Sequence, residues 1–209
     1  MQIEDLLQKY DGFVFDLDGT LVDSMPLHLA GWKHAAALYN FHYDAAWFYN
    51  LGGVPSRKIA KIVSETQNLD LNLDAVTKTK SDYYQQVIAD AIAFPAMKEL
   101  VMTLFPHRPL AIGTGSIRTN AEIVLSNSGL RPYFRAITAA DDVVHHKPNP
   151  DTFLLSAAKI SVKPSRCLVF EDTEIGIQAA QEAQMDCVLI REGKPDWSTF
   201  TSAAADTLA

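Results

Sequence analysis

The chain of 209 residues is 48% hydrophobic and sets 18 Lys and Arg against 25 Asp and Glu, for a formal charge of -7. That length and apolar share support a packed core with room for an insertion and exclude a disordered chain. The acidic balance argues against nucleic acid or an anionic membrane as partner, because basic surfaces hold both.

The opening "MQIEDLLQKY" is too acidic for a secretory leader, and no apolar run approaches the ~20 residues of a membrane span. Cys167 and Cys187 stand in the apolar stretches "CLVF" and "CVLI", the setting of buried free thiols in a reducing compartment. The expectation is a cytoplasmic protein. In chain order, the first strong element is "GFVFD" (12–16), an apolar strand. Residues 23–93 then carry about four helical patterns, near 26–40, 43–51, 55–67 and 73–92, too much helix for an ordinary crossover. This predicts a separate helical lobe, with Pro26 and Pro95 at its two crossings. Beyond it come the strands "PLAIGT" (109–114), "RAITA" (135–139), "RCLVFE" (166–171) and "DCVLI" (186–190). Helix patterns lie between them: residues 119–130 run to Gly129 as a C-cap, and residues 150–160 turn Phe153, Leu154 and Ala157 inward. Strand and helix in alternation predict a doubly wound parallel α/β sheet.

The chemistry is concentrated at strand ends. Asp16 closes the first strand and emerges at the carboxyl edge, where open α/β sheets bind ligands. Residues two apart on an extended strand face the same way, so Asp18 is aimed at the same pocket. Two such carboxylates repel unless a cation or proton lies between them, although an Asp-Gly turn at Gly19 accounts for "DLDG" without chemistry. Further ends favour chemistry. Thr114 and Ser116 flank Gly115, where backbone amides approach an oxyanion. Lys147 is held extended or in a turn by Pro148, and Glu171 and Asp172 bring a second acidic pair to the edge. Oxygen-only ligands suit Mg²⁺ shared with a phosphate. Phosphate monoesters resist hydrolysis strongly, and an aspartyl-phosphate divides the displacement into two easier steps. In this reading Asp16 attacks phosphorus and Asp18 moves protons. His145 and His146 are adjacent and point apart, which disfavours a transition-metal site.

The segments "DLDGT", "GTGS", "KPNPD" and "FEDTEIGIQAA" match, in order, the four motifs of the haloacid dehalogenase superfamily, which the chain resembles over essentially its whole length. Within it, the β-phosphoglucomutase-like branch and its bacterial fructose-1-phosphate phosphatases are most similar, through "HHKPNPDTFLL" and "IGTGS". The resemblance implies a Rossmann-like core of residues 1–22 and 94–209 with an α-helical cap of residues 23–93. It implies Asp16 as nucleophile and Mg²⁺ ligand. Asp18 becomes the acid and base that also gives its backbone carbonyl to the metal, with opposing influences on its pKa. Thr114 binds the phosphoryl group with Gly115 and Ser116, Lys147 neutralises its charge, and Asp172 with Glu171 completes the metal site.

Substrate selection falls to the cap. His28, Trp32 and Ala35 share a helix face, either a core-facing stripe or, for His28 and Trp32, contacts to Asp18 or substrate. Gly53 lets the backbone approach a sugar or simply turns the chain, and Lys80 matches a cap lysine that reaches substrate in this branch; Arg57 and Lys58 read as solvated. The favoured function is a Mg²⁺-dependent phosphatase of small sugar phosphates, above all fructose 1-phosphate, acting as a monomer. A β-phosphoglucomutase is the alternative, disfavoured by Thr20 and Ser24, which follow the phosphatase pattern. A non-catalytic sensor would have lost a catalytic residue, and none is lost.

Overall fold

The computed structural model describes residues 2–52 and 54–202. Helix α1 (Ile3–Lys9) leads into the central strand β1 (Gly12–Phe15), and the short β2 (Val22–Asp23) opens the insertion. Helices α2 (Met25–Tyr39), α3 (Ala45–Tyr49), α4 (Ser56–Thr66) and α5 (Leu73–Val87) follow before β3 (Ile92–Ala93) brings the chain back, paired antiparallel with β2. Then come α6 (Pro95–Leu104), β4 (Leu110–Gly113), α7 (Arg118–Asn127), β5 (Ala136–Thr138), α8 (Asp151–Lys159), β6 (Cys167–Glu171), α9 (Glu174–Glu182), β7 (Asp186–Arg191) and β8 (Lys194–Thr201).

The main sheet has the order β5-β4-β1-β6-β7-β8, parallel except for β8. Period-two alternation along β1 sends Phe13 and Phe15 to one face and Val14 to the other. Phe13 and Phe15 join Met97 of α6 and Val124 of α7, with the Phe15 and Phe170 rings stacked at 4.6 Å. Val14 packs with Phe153 of α8 and Ala179 of α9. Both faces are therefore covered, which is why these strands are apolar throughout. Each such side chain, fully buried, contributes roughly 1.5–3 kcal/mol.

The insertion has its own cluster, built from Trp32, Ala35, Phe41, Phe48, Ile59, Val63 and Val76. Two of its helices, α3 and α5, start on side-chain caps: Asp44 accepts from the Trp47 amide at 2.7 Å and Asn72 from the Ala75 amide at 3.1 Å. These bonds satisfy amides that have no partner within the helix.

Two details depart from the sequence reading. Leu154, expected to face inward, is 38% exposed, because it lies about 100° around the helix from the buried Phe153. Strand β8 was not expected; its half-buried "KPDWSTFT" mixes polar and aromatic residues and pairs antiparallel with β7 at the sheet edge. Cys167 and Cys187 are buried free thiols. Among the described residues, no helix is long and apolar enough to cross a membrane.

Candidate active site

Because β1 lies between β4 and β6, the residues that leave these strands meet at one edge. Asp16, Thr114 and Glu171 are all buried there. Lys147 arrives from the loop between β5 and α8, and its Nζ donates to Asp16 Oδ1 at 2.6 Å and to Glu171 Oε1 at 2.7 Å. The Thr173 amide and hydroxyl donate to Glu171 Oε2, at 2.7 and 2.9 Å, and the Thr20 hydroxyl donates to Asp172 Oδ1 at 2.9 Å. Two glycines make room for these acids. A Cβ on Gly19, whose φ is +86°, would stand 2.2 Å from Asp172 Oδ2, and one on Gly176 would stand 1.9 Å from Glu171 Cδ. No side chain fits at either position.

Asp16, Glu171 and Asp172 each offer a carboxylate oxygen within 4.8 Å of the others. Three acids thus crowd around one lysine, which is bonded to two of them. Burial, resisted by Lys147 and reinforced by the neighbouring acids, raises the Asp16 pKa well above the usual carboxylate value. Burial and the Glu171 charge push Asp172 up to about 7. Burial works against the charge of Lys147, but Asp16 and Glu171 outweigh it and keep the ammonium protonated. The surplus negative charge on an all-oxygen donor set is what a hard divalent cation neutralises, so the residues present fit Mg²⁺.

Asp18 faces a different set of partners. Ser24 Oγ donates to its Oδ1 and Ser116 Oγ to its Oδ2, both at 2.5 Å, and His28 Nε2 lies 3.4 Å from Oδ1. Burial would raise its pKa, but His28, Ser116 and Ser24 together prevail and hold the carboxyl well below the usual range. The opposing influences seen in the sequence thus resolve downward. The Asp18 carboxylate stands outside the acidic triad, which leaves its backbone carbonyl for the metal contact that the resemblance implies. Ser116, expected on the phosphoryl group, is engaged with Asp18, while its amide donates to Thr114 Oγ1 at 3.0 Å.

The helical insertion closes the other side of a cavity of about 430 Å³, lined by Asp16, Asp18, Thr114 and Gly115 of the core and by His28, Trp32 and Lys80 of the insertion. Trp32 lines the cavity and also packs in the core of the insertion, on Phe48 with ring centroids 5.1 Å apart. Lys80 is 5% exposed and its Nζ sits 2.8 Å from His28 Nδ1. Burial lowers its pKa to about 8, and burial together with the Lys80 charge lowers that of His28. Arg57 borders the cavity and pairs with Asp74 at 2.8 Å, and both Arg57 and Lys58 are exposed. His145 pairs with Asp151 at 3.0 Å. Gly53 lies outside the described residues.

Tyr84 was missed by the sequence reading. Its ring stacks on His28 at 4.0 Å and lies 4.9 Å below Lys80 Nζ. Its place four residues after Lys80 on the same helix was the available signal. Ser24 and Thr20 entered only as pattern residues, and their partners Asp18 and Asp172 come from the fold.

A parallel sheet with acids, a lysine and hydroxyls at its carboxyl edge and a helical insertion above it defines a class, and the family model of haloacid dehalogenase-like hydrolases matches residues 13–190. The chain belongs to this family. Among its relatives, a fructose-1-phosphate phosphatase of Escherichia coli (strain K12) is 40% identical over 186 residues, covering 89% of this chain and 99% of its own. A β-phosphoglucomutase of Bacillus subtilis (strain 168) is 28% identical, covering 87% of this chain and 84% of its own. Of solved structures, a β-phosphoglucomutase from Clostridium difficile aligns with a TM-score of 0.78 at 26% identity over 87% of this chain and 85% of that one.

Proposed function

We propose that this hydrolase is a Mg²⁺-dependent phosphatase of small sugar phosphates, with fructose 1-phosphate its favoured substrate, and that it works through an aspartyl-phosphate. The observation that carries the reading is Asp16, buried against Lys147 at 2.6 Å and opening onto a cavity of about 430 Å³, a size suited to a small ligand. The 40% identity to a fructose-1-phosphate phosphatase supports the substrate.

In this scheme an Asp16 carboxylate oxygen attacks phosphorus as the ester P–O bond breaks, and Asp18 delivers a proton to the departing alkoxide. For that delivery Asp18 must first take up a proton, which requires Ser24, Ser116 and His28 to loosen as substrate enters. Its ionised state suits the second half-reaction, in which it takes a proton from the attacking water. The Lys147 ammonium and the Thr114 hydroxyl stabilise the phosphoryl oxygens. Asp16, Glu171 and Asp172, with the Asp18 carbonyl, would hold Mg²⁺, which supplies charge neutralisation at those oxygens. We assign residues 1–22 and 94–209 to the core and 23–93 to the cap; one chain provides both, so a monomer suffices.

Asp172→Asn is expected to weaken Mg²⁺ binding by at least about tenfold, since even outer-shell changes at metal sites cost that much. Calorimetric titration with Mg²⁺ checks this, and an unchanged affinity would mean that the metal is held elsewhere. The function itself is tested by supplying fructose 1-phosphate, glucose 6-phosphate, β-glucose 1-phosphate and 6-phosphogluconate with Mg²⁺ and measuring free phosphate. Glucose 6-phosphate accumulating from β-glucose 1-phosphate without phosphate release would make the enzyme a mutase.

A further inference from the structure

Lys80 poses a problem of charge. It is buried, and among the described residues its Nζ has one hydrogen-bond partner, His28 Nδ1 at 2.8 Å, and no carboxylate within ion-pair distance. A buried ammonium without a counter-ion is costly. What surrounds this one is aromatic: the Tyr84 ring centroid lies 4.9 Å from Nζ and the Trp32 centroid 6.0 Å, within the reach of cation–π attraction.

Of the two rings, Tyr84 makes a second contact. It stacks on His28 with centroids 4.0 Å apart and planes 14° from parallel. The residue is 1% exposed and its hydroxyl finds no protein hydrogen-bond partner, so what it contributes is the ring. Lys80 and Tyr84 stand four residues apart on α5 and therefore share a face. Helix α2 presses His28 onto that face at Gly31, where a Cβ would stand 3.0 Å from the Lys80 carbonyl oxygen. The contact reaches the reacting centre through His28. An ammonium only donates, so Nδ1 accepts from Lys80 and the ring proton is left on Nε2, the nitrogen 3.4 Å from Asp18 Oδ1. Stacking on Tyr84 fixes the plane of the imidazole and with it the line along which Nε2 meets the carboxyl.

We infer that Tyr84 is a positioning residue for the hydrolysis: its ring seats the Lys80 ammonium, fixes the plane of His28, and through them holds the Asp18 carboxyl where it meets the departing oxygen. This role rests on the reading of Asp18 as the proton donor. The bonds that set Lys147 against Asp16 and Glu171 involve no atom of Tyr84, so attack on phosphorus keeps its own machinery when the ring is lost. The damage therefore scales with the help that the leaving group needs.

The experiment uses the full chain with Mg²⁺ and two esters that carry no sugar: 2,4-dinitrophenyl phosphate, whose phenolate departs unaided, and phenyl phosphate, whose phenolate needs a proton. Enzyme is held in excess, so that the second-order rate constant for phenol release reports attack by Asp16 and not the later hydrolysis. Asp18→Asn removes the donor and is expected to lower the phenyl value about 10²-fold more than the dinitrophenyl value, the lower end of what general acid catalysis supplies. Tyr84→Leu and Tyr84→Met keep apolar bulk without an aromatic face, and each is expected to lower the phenyl value about tenfold more than the other, a part of the same contribution. Tyr84→Phe keeps the ring and gives up only an unpaired hydroxyl, so it is expected to bring the ratio back to within about twofold of the wild type. The ratio does not depend on how much of a variant is folded, so a mere loss of stability leaves it unchanged. If Asp18→Asn shifts the ratio while Tyr84→Leu and Tyr84→Met do not, this inference alone is overturned, as it is by a Tyr84→Phe variant no better than Tyr84→Leu. If Asp18→Asn itself leaves the ratio unchanged, the assignment of Asp18 as proton donor falls and the inference falls with it.

Discussion

Asp16→Asn is expected to lower phosphate release by about 10⁶-fold, the scale on which a covalent hydrolase loses activity when the nucleophile is removed. The amide has the size of the carboxylate but cannot form the mixed anhydride with phosphorus. Little should happen to the fold. Asp16 is buried with its pKa already raised by burial and neighbouring acids, so a neutral side chain relieves repulsion from Glu171 and Asp172 while it gives up the ion pair to Lys147. The direct readout is rapid acid quench with radiolabelled substrate: the wild type should carry label on protein and the variant none. Substantial turnover or retained label in the variant would rule out Asp16 as the attacking group.

The second large effect is on stability. Lys147 is the cation that two buried carboxylates share, at 2.6 and 2.7 Å. Lys147→Met keeps most of the side-chain volume, including its packing near the Phe153 ring, and removes the charge. Taking one partner from a buried ion pair costs roughly 3–5 kcal/mol, because the remaining charge stays desolvated and unmatched. For a chain of this size, that corresponds to a melting point lower by on the order of 10 °C. The measurement belongs in chelator, so that no divalent cation substitutes for the lost ammonium. An unchanged melting point would mean that the acids were not charged beside Lys147. Activity should fall as well, since nothing else among the residues assigned here brings positive charge to the phosphoryl oxygens.

How far the sequence led can be judged residue by residue. Asp16, Thr114 and Glu171 were legible because each ends an apolar strand, and a parallel sheet brings its carboxyl ends to one edge whatever the loops do. The helical insertion was legible from the sheer length of helix-patterned chain between two strands. The surroundings of Asp18 were legible only in part: contact with His28 was expected, but Ser24 and Ser116 were not, and only the convergence of two distant segments, the start of α2 and the loop after β4, fixes the sign of its pKa shift. The Ser116 bond to Asp18 was hidden for the same reason, since a hydroxyl in a phosphate-binding loop says nothing of the carboxylate opposite. Tyr84 hid as one of two adjacent tyrosines in a largely polar helix, and β8 escaped because a half-buried edge strand lacks the continuous apolar run that marked the others.

The two-residue ribbon that joins Val22 and Asp23 to Ala93 and Ile92 bears on how the molecule assembles. Strand β1 must find β4 across roughly 95 residues of intervening chain. If the insertion condenses on its own aromatic cluster and zips this ribbon first, the loop left to close shrinks about fourfold, worth about 1.2 kcal/mol of closure entropy. To the nascent sheet, an entire helical lobe then counts as little more than a hairpin turn.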